Sequence, residues 1–191
     1  MSIAILTQFT PNPNAMKFIL SRDVKTSGKV TFRNSEEAVG VSLVEALFAL
    51  AVVEQVHLFE NVVTVTKLEQ APWEDVSDWV KQAITGQIED HNPGFVVDEL
   101  EGTGLVSHVR EDQSPEVRQI EEVLDRTIRP YLQGDGGDLD VLSFENNRVL
   151  VSYAGACGTC PASLSGTLQA IQNVLRDEVN PEIEVVSVES G

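Results

Sequence analysis

The side chains best suited to chemistry are the two cysteines, Cys157 and Cys160, which form a single C-x-x-C pair. Small residues precede and separate them, since the sequence over residues 155–161 is Gly-Ala-Cys-Gly-Thr-Cys-Pro. We expect this segment to join a strand to a helix, which would place both sulfurs near free backbone N–H groups at the positive end of that helix. Such surroundings favour the thiolate, the form of cysteine that binds metals and attacks electrophiles.

The number of cysteines limits what the pair can hold. A common iron–sulfur cluster takes four protein ligands, and this chain offers two cysteines. Two protomers would therefore share one cluster, and a cluster held between separable protomers can pass to an acceptor by thiolate exchange. Its loss should be coupled to dimer dissociation. Histidine ligation is an alternative, although His57 falls in a strand pattern, and His91 and His108 fall between the two halves of the chain.

Other uses of the cysteine pair stay open. A thioredoxin-like thiol–disulfide oxidoreductase also combines a strand, a C-x-x-C pair and a helix, but in that fold the pair comes early in the chain. Zinc could occupy the same four thiolates, either as a structural ion or as an adventitious substitute. The cysteines could also be incidental in an interaction module. Because no nucleophile, base and acid form a recognisable set, we do not expect an enzyme.

Composition and charge exclude several partners. The chain has 191 residues and a formal net charge of −17, and such a surface repels the phosphates of nucleic acids. The longest apolar stretches, such as residues 41–53, are interrupted by polar residues and fall short of the ~20 residues that cross a bilayer, so we expect no membrane segment. Residues 1–9 lack the pattern of a signal or transit peptide, which predicts a cytoplasmic protein or a processed organellar form.

The first half, residues 1–90, shows the alternation of strands that are buried on one face. Apolar and polar residues alternate near residues 16–20, 30–33 and 63–66. Ser35-Glu36-Glu37 is a plausible helix entry before leucines at helical spacing, and residues 76–83 form a second apolar stripe. We therefore predict an α/β sandwich as the N-terminal domain.

The rest of the chain is interpreted as a connector and a second domain. Residues 91–113 lose periodicity and are rich in Asp, Glu, Gly and Pro, which predicts an acidic, flexible connector. Residues 114–191 begin with Ser-Pro-Glu, a good helix start, and we expect that helix to run to about Tyr131. Two strands joined by a turn at Asn146-Asn147, the cysteine segment, a second helix and a last strand follow. The predicted order is α-β-β-α-β, and the whole chain is of the α/β (α+β) class.

The C-terminal half resembles the NifU C-terminal (Nfu) domain, and the N-terminal half is similar to the domain that precedes it in long Nfu proteins. The first resemblance rests on Gly134-Asp135-Gly136-Gly137-Asp138 and on the sequence around the two cysteines. The second rests on residues 10–18 and 62–67. The resemblance implies a homodimeric carrier that receives a [4Fe–4S] cluster, or alternatively [2Fe–2S], from an upstream scaffold and delivers it to apo Fe–S client proteins. It implies that Cys157 and Cys160 are the ligands. For the N-terminal domain we expect client docking.

Overall fold

The computed structural model describes residues 3–96, 114–156 and 161–188. The chain divides into two compact units, Met1–Ser107 and His108–Gly191, and each unit has its own hydrophobic core. The predicted class, α+β with two small domains, is confirmed. Of the predicted connector, residues 97–113 lie outside the described residues. Among the described residues, none of the helices combines the length and the apolar character needed to cross a membrane.

The first unit is a single antiparallel sheet with two helices. Its strands lie in the order β1-β2-β5-β4-β3, so that β1 and β3 are the edges. The sheet consists of β1 Ile5–Phe9, β2 Ala15–Leu20, β3 Lys25–Phe32, β4 Val53–Glu60 and β5 Val62–Lys67. Helices α1 Ser42–Phe48 and α2 Trp73–Gln87 pack against each other and share the core with the sheet.

The core of the first unit follows the period of each element. Phe18 of β2 and Val63 of β5 are cross-strand neighbours and are fully buried. The buried residues of α2, Val76, Val80 and Ile84, recur every four residues and so form one face of the helix. The alternation seen in the sequence therefore identified the core side of the central strands.

Two features of the first unit differ from the predictions. The helix entry at Ser35-Glu36-Glu37 is wrong, because residues 35–40 form turns and α1 begins at Ser42. The Glu37 carboxylate accepts a hydrogen bond from the Arg33 N–H (2.7 Å), and the Glu37 N–H donates to Asn34 Oδ1 (2.9 Å). These side chains therefore cap a turn and not a helix. A right-handed helix could not extend through Gly40, because the φ of this residue is +89°. Strand β1 was not predicted.

The second unit has the predicted order of elements with one additional short helix. It consists of α3 Pro115–Thr127, α4 Arg129–Gly134, β6 Gly137–Glu145, β7 Arg148–Gly155, α5 Pro161–Glu178 and β8 Glu184–Ser187. The strands lie in the order β6-β7-β8, with β6 antiparallel and β8 parallel to β7. Helices α3 and α5 contact each other and cover the sheet. Helix α5 provides the crossover that a parallel neighbour requires.

The first helix of this unit ends earlier than predicted. Ser114 caps it as expected, since its side chain accepts a hydrogen bond from the Val117 N–H at 3.3 Å. The helix was expected to reach Tyr131, but it ends at Thr127 and the chain continues as α4. Pro130 explains the break, because proline has no N–H to continue the hydrogen bonds of α3 and its ring clashes with the carbonyl group four residues earlier.

The hairpin between β6 and β7 is confirmed. Asn146 and Asn147 have φ angles of 50° and 61°, as in the two-residue turn whose twist matches that of the flanking strands. Asparagine tolerates the left-handed region better than most residues. This turn sets which residues of β6 face which residues of β7 as far as Ser143. The register shifts between Val141 and Ser143, and the ladder then continues to Gly137 and Gly155, where the cysteine segment begins.

Candidate metal centre

The predicted ligands, Cys157 and Cys160, lie outside the described residues, but both flanks of their segment are described. Strand β7 ends at Gly155, and Ala156, the residue directly before Cys157, is buried. Helix α5 begins at Pro161, directly after Cys160. Four residues, 157–160, therefore lie between the buried Ala156 and the start of α5.

The strand side is held by the glycine-rich turn before β6. The Ala156 N–H donates a hydrogen bond to the Gly136 carbonyl oxygen at 3.1 Å, and Gly137 pairs with Gly155 in the ladder. Gly136 and Gly155 have φ angles of 80° and 63°, a conformation that glycine adopts without cost. Residues 134–138 entered the predictions only through the resemblance to the NifU C-terminal domain. The structure places that turn against the residue that leads into the cysteine segment.

The helix side offers a positive electrostatic end. Helix α5 has 18 residues, and its first turn contains no acidic residue. Proline suits the first position of a helix, because the missing N–H would have no partner inside the helix. The unpaired N–H groups of the first turn carry partial positive charge, which favours a nearby anion such as a thiolate.

A group of charged side chains, largely buried except for Asp125, lies at the start of β6. Arg129 of α4 pairs with Glu121 and Asp125 of α3, and its Nε lies 3.4 Å from Asp138 Oδ1. Asp138 is 1 % exposed. Its carboxylate also accepts hydrogen bonds from Gln133 Nε2 (3.0 Å) and from the backbone N–H of Leu139 (2.7 Å). These charged side chains therefore connect α3 and α4 to β6, the strand that follows the glycine turn.

The charge of Arg129 is stabilised by its partners. Burial lowers the pKa of Arg129, but the charge of Glu121, the hydrogen bond that Arg129 donates to Asp125 and the charge of Asp138 together outweigh burial and raise the pKa. Asp138 faces Ala154 across the ladder, two residues before Ala156. The ion pair of Asp138 was not predicted. The available indication was a charged residue at the second position of a strand, directly before the apolar Leu139.

The histidines lie elsewhere. His57 is buried in β4, with its Nδ1 2.8 Å from Thr31 Oγ1. His91 is buried and its Nε2 donates to the Val24 carbonyl oxygen at 2.8 Å. Burial lowers the pKa of His91, and the nearby Arg22 and Lys25 lower it further, against the effect of that hydrogen bond. His108 lies outside the described residues. Within the described ranges, no three His, Cys, Asp or Glu side chains are grouped to hold a metal ion.

Comparison with known families identifies both halves. The family "Scaffold protein Nfu/NifU N terminal" matches residues 5–91, and the family "NifU-like domain" matches residues 120–186. NifU-like protein 5, mitochondrial, of Arabidopsis thaliana is 32 % identical over 187 residues, which are 97 % of this chain and 66 % of that protein. NFU1 iron-sulfur cluster scaffold homolog, mitochondrial, of Drosophila erecta is 33 % identical over 187 residues, which are 97 % of this chain and 64 % of that protein. The chain belongs to the Nfu (NifU-like) family, and it spans about two thirds of the length of these relatives.

Two further outcomes follow from the comparisons. The prediction of a cytoplasmic protein is wrong, because both relatives are named as mitochondrial proteins; the composition of residues 1–9, on which the prediction rested, does not decide location. The thioredoxin-like alternative is not favoured, since the matched domain families are Nfu and NifU-like.

A solution NMR structure of a NifU-like protein from Saccharomyces cerevisiae superposes with a TM-score of 0.45 and 22 % identity, over 51 % of this chain and 87 % of that one.

Proposed function

We propose that this protein is an iron–sulfur cluster carrier in which Cys157 and Cys160 of two protomers hold one cluster as cargo for delivery to apo-proteins. The observation that carries the proposal is the position of the chain's only cysteines, in the five residues, 156–160, between the buried end of β7 and the start of α5. Membership of a family whose relatives include a named iron-sulfur cluster scaffold supports it.

The flanks of the cysteine segment support ligation in two ways. The hydrogen bond between Ala156 and Gly136 fixes the chain just before Cys157, so that less conformational entropy is lost when the thiolates bind. The first turn of α5 contributes positive partial charge without a competing carboxylate. Together they provide a rigid entry and an electrostatic preference for anionic sulfur.

The number of ligands determines the form of the complex. Two cysteines per chain supply half of the four thiolates that a [4Fe–4S] or [2Fe–2S] cluster takes, so a second protomer completes the set. We favour [4Fe–4S] cargo, with [2Fe–2S] as the alternative, and zinc as an adventitious occupant of the same thiolates. Because ligation contributes to the association of the protomers, cluster release and dissociation are coupled.

The protein acts on clusters and clients rather than as an enzyme. Its partners are an upstream scaffold and apo Fe–S proteins. The N-terminal unit has its own sheet and core, and we assign to it the docking of these partners. A docked client would be held at high effective concentration near the cysteine segment, which speeds transfer without any new contact at the cluster.

The cluster assignment is tested by anaerobic reconstitution with iron and sulfide, using the full chain. We expect broad absorbance near ~400 nm and about four irons per dimer, the iron content of one shared [4Fe–4S] cluster, whereas about two irons per dimer would indicate [2Fe–2S]. Cys157→Ser and Cys160→Ser should each abolish both. Thr159→Ser is the matched control, because it changes a residue inside the same segment that is not a proposed ligand. Equal loading of the Cys→Ser variants would overturn the assignment of ligands.

The docking assignment is tested separately by cluster transfer. Residues 114–191, first shown by circular dichroism to be folded, are loaded with cluster and compared with the full chain as donors to several apo-proteins. We expect slower transfer from the fragment at low client concentration and equal rates at saturation, since docking acts through effective concentration. Equal rates at every concentration and for every client would remove the docking role from the N-terminal unit.

A further inference from the structure

The two edges of the N-terminal sheet differ in their protection against pairing. Proteins protect exposed edge strands with charged residues, prolines or irregular pairing, because an open strand edge recruits other strands. Edge β3 has such protection: it carries Lys25 and Lys29, its pairing with β4 is irregular between these two residues, and Gly28 has a φ of +68°. This edge is therefore poorly suited to accept another strand.

Edge β1 has none of these features. Its sequence is Ile-Leu-Thr-Gln-Phe, with no charge and no proline. All five residues pair in regular register with β2, which is its only strand neighbour in the part of the chain that the structure describes. Leu6 is 69 % exposed and Phe9 is 75 % exposed. The strand is thus regular, apolar in part and open to solvent.

The hydrogen bonds beside β1 show which of its backbone groups face outward. Both backbone groups of Ala4 face β2, since its N–H donates to Ser21 Oγ (3.2 Å) and its carbonyl accepts from the Ser21 N–H (3.0 Å). Inward and outward residues alternate along an antiparallel strand. The backbone N–H and C=O groups of Leu6 and Gln8 therefore point towards β2. Those of Ile5, Thr7 and Phe9 point away from the sheet.

We propose that β1 pairs with β1 of a second copy of this chain, antiparallel and with the two-fold axis at Thr7. In this register Thr7 lies opposite its own counterpart, and Ile5 lies opposite Phe9 of the partner subunit. All three outward-facing residues then form hydrogen bonds. The pairing also produces two isoleucine–phenylalanine cross-strand contacts, a favourable kind of pair in antiparallel sheets, and covers the exposed Phe9.

A second copy suits this edge because Ile5 and Phe9 lie at equal distances along the strand from Thr7, so that each can pair with the other across a two-fold axis. Two chains that each carry a net charge of −17 repel one another over most of their surface, and this repulsion restricts self-association to an uncharged strip such as β1. The proposed cluster site is incomplete without a second protomer, and this pairing would hold two protomers together before the cluster arrives.

The register is tested by disulfide trapping in the full chain, with Cys157 and Cys160 both replaced by serine. In the proposed pairing the two Thr7 Cα atoms are about 5.5 Å apart, which is within the range of a disulfide. The two Gln8 residues are diagonal neighbours at about 7–8 Å, beyond that range. We expect Thr7→Cys to form a disulfide dimer at least ~10-fold faster under mild oxidation than Gln8→Cys or Ser27→Cys, the last of which lies on the protected edge β3.

Sedimentation equilibrium gives a second, independent readout without added cysteine. The protein is again the full chain with Cys157 and Cys160 replaced by serine. Because salt screens the repulsion between the two chains, we expect the fraction of dimer to rise with ionic strength. Thr7→Lys, which places two like charges opposite each other, should weaken association at least ~10-fold, and Ser27→Lys, with the same change in net charge, should not. A monomer at all concentrations and salts, or equal trapping at the three positions, would overturn the proposal. Because no ligand cysteine is present, either result leaves the cluster assignment untouched.

Discussion

The backbone N–H of Ala156 lies 3.1 Å from the carbonyl oxygen of Gly136 and donates a hydrogen bond to it. This contact joins the turn before β6 to the residue directly before Cys157. It depends on Gly136 having a φ of +80°, which an L side chain adopts only at a cost. The turn is therefore part of the support of the cysteine segment, although it carries no ligand.

Gly136→Ala should destabilise the protein by about 1–2 kcal/mol, because alanine is strained in the left-handed region. Gly134→Ala is the matched control two residues away. Gly134 ends α4, an added Cβ there would meet open space, and alanine in a helix is more favourable than glycine by up to about 1 kcal/mol. Urea denaturation of both variants measures the difference. A Gly136→Ala protein as stable as Gly134→Ala would show that the turn is not constrained.

Arg129→Met should lower the free energy of unfolding by about 3–5 kcal/mol, because it leaves the fully buried carboxylate of Asp138 without its cation. The exposed pair of Arg148 and Glu184, at 3.1 Å, provides the control. Arg148→Met should cost at most about 1 kcal/mol, as is usual for exposed ion pairs. Thermal or chemical unfolding compares the two variants. Equal losses would mean that the ion pairs of Arg129 contribute no more to the free energy of unfolding than an exposed ion pair.

The stability of the first unit should fall on acidification through His91. The pKa of His91 is lowered from 6.5 in the folded protein, mainly by burial. Above pH 6.5 neither state binds the proton, so His91 has no effect on the pH dependence there. Below pH 6.5 the unfolded chain takes up the proton first, and stability is lost progressively until the pH reaches the lower, folded pKa.

His91→Gln tests this sign, because glutamine can still donate to the Val24 carbonyl but does not titrate. Urea denaturation between pH 7.5 and about pH 5 should show a shallower loss of stability in the variant than in the wild-type chain. The carboxylates titrate in both proteins, so the difference between the two slopes isolates the histidine. Parallel slopes would contradict the prediction.

Ser114→Ala should cost about 1 kcal/mol, because the serine side chain caps α3 by accepting the Val117 N–H. Ser114→Asp should preserve stability, since aspartate is an equally good cap and its charge suits the start of a helix. The two variants are compared by chemical denaturation. If alanine and aspartate behaved alike at this position, the hydrogen bond at 3.3 Å would contribute nothing.

Local signals in the sequence predicted much of the second unit. Ser114 and Pro115 marked a helix start, and Asn146-Asn147 marked the hairpin, because capping and turn geometry depend on a few adjacent residues. The same reasoning failed at Glu37, where side chains that resemble a helix cap close a turn. It also missed the end of α3 near Pro130, although proline is itself a local signal.

Contacts between distant residues were beyond the sequence analysis. Nothing in the spacing of Arg129 and Asp138 shows that they form a buried pair, because the packing of α4 on β6 decides it. The proximity of Gly136 to Ala156 arises from the ladder of β6 and β7. Strand β1 was missed because its exposed positions lack the regular alternation that burial on one face produces.

The contrast between the two sheet edges has a consequence for how far self-association can extend. A sheet with two open edges can add copies at both sides and grow into a fibre. Here the lysines and irregular pairing of β3 close one side, so that pairing through β1 uses up the only open edge of each copy in the described sheet. The product is a closed pair. The five uncharged residues of β1 permit association, and the protected edge β3 limits it to two copies.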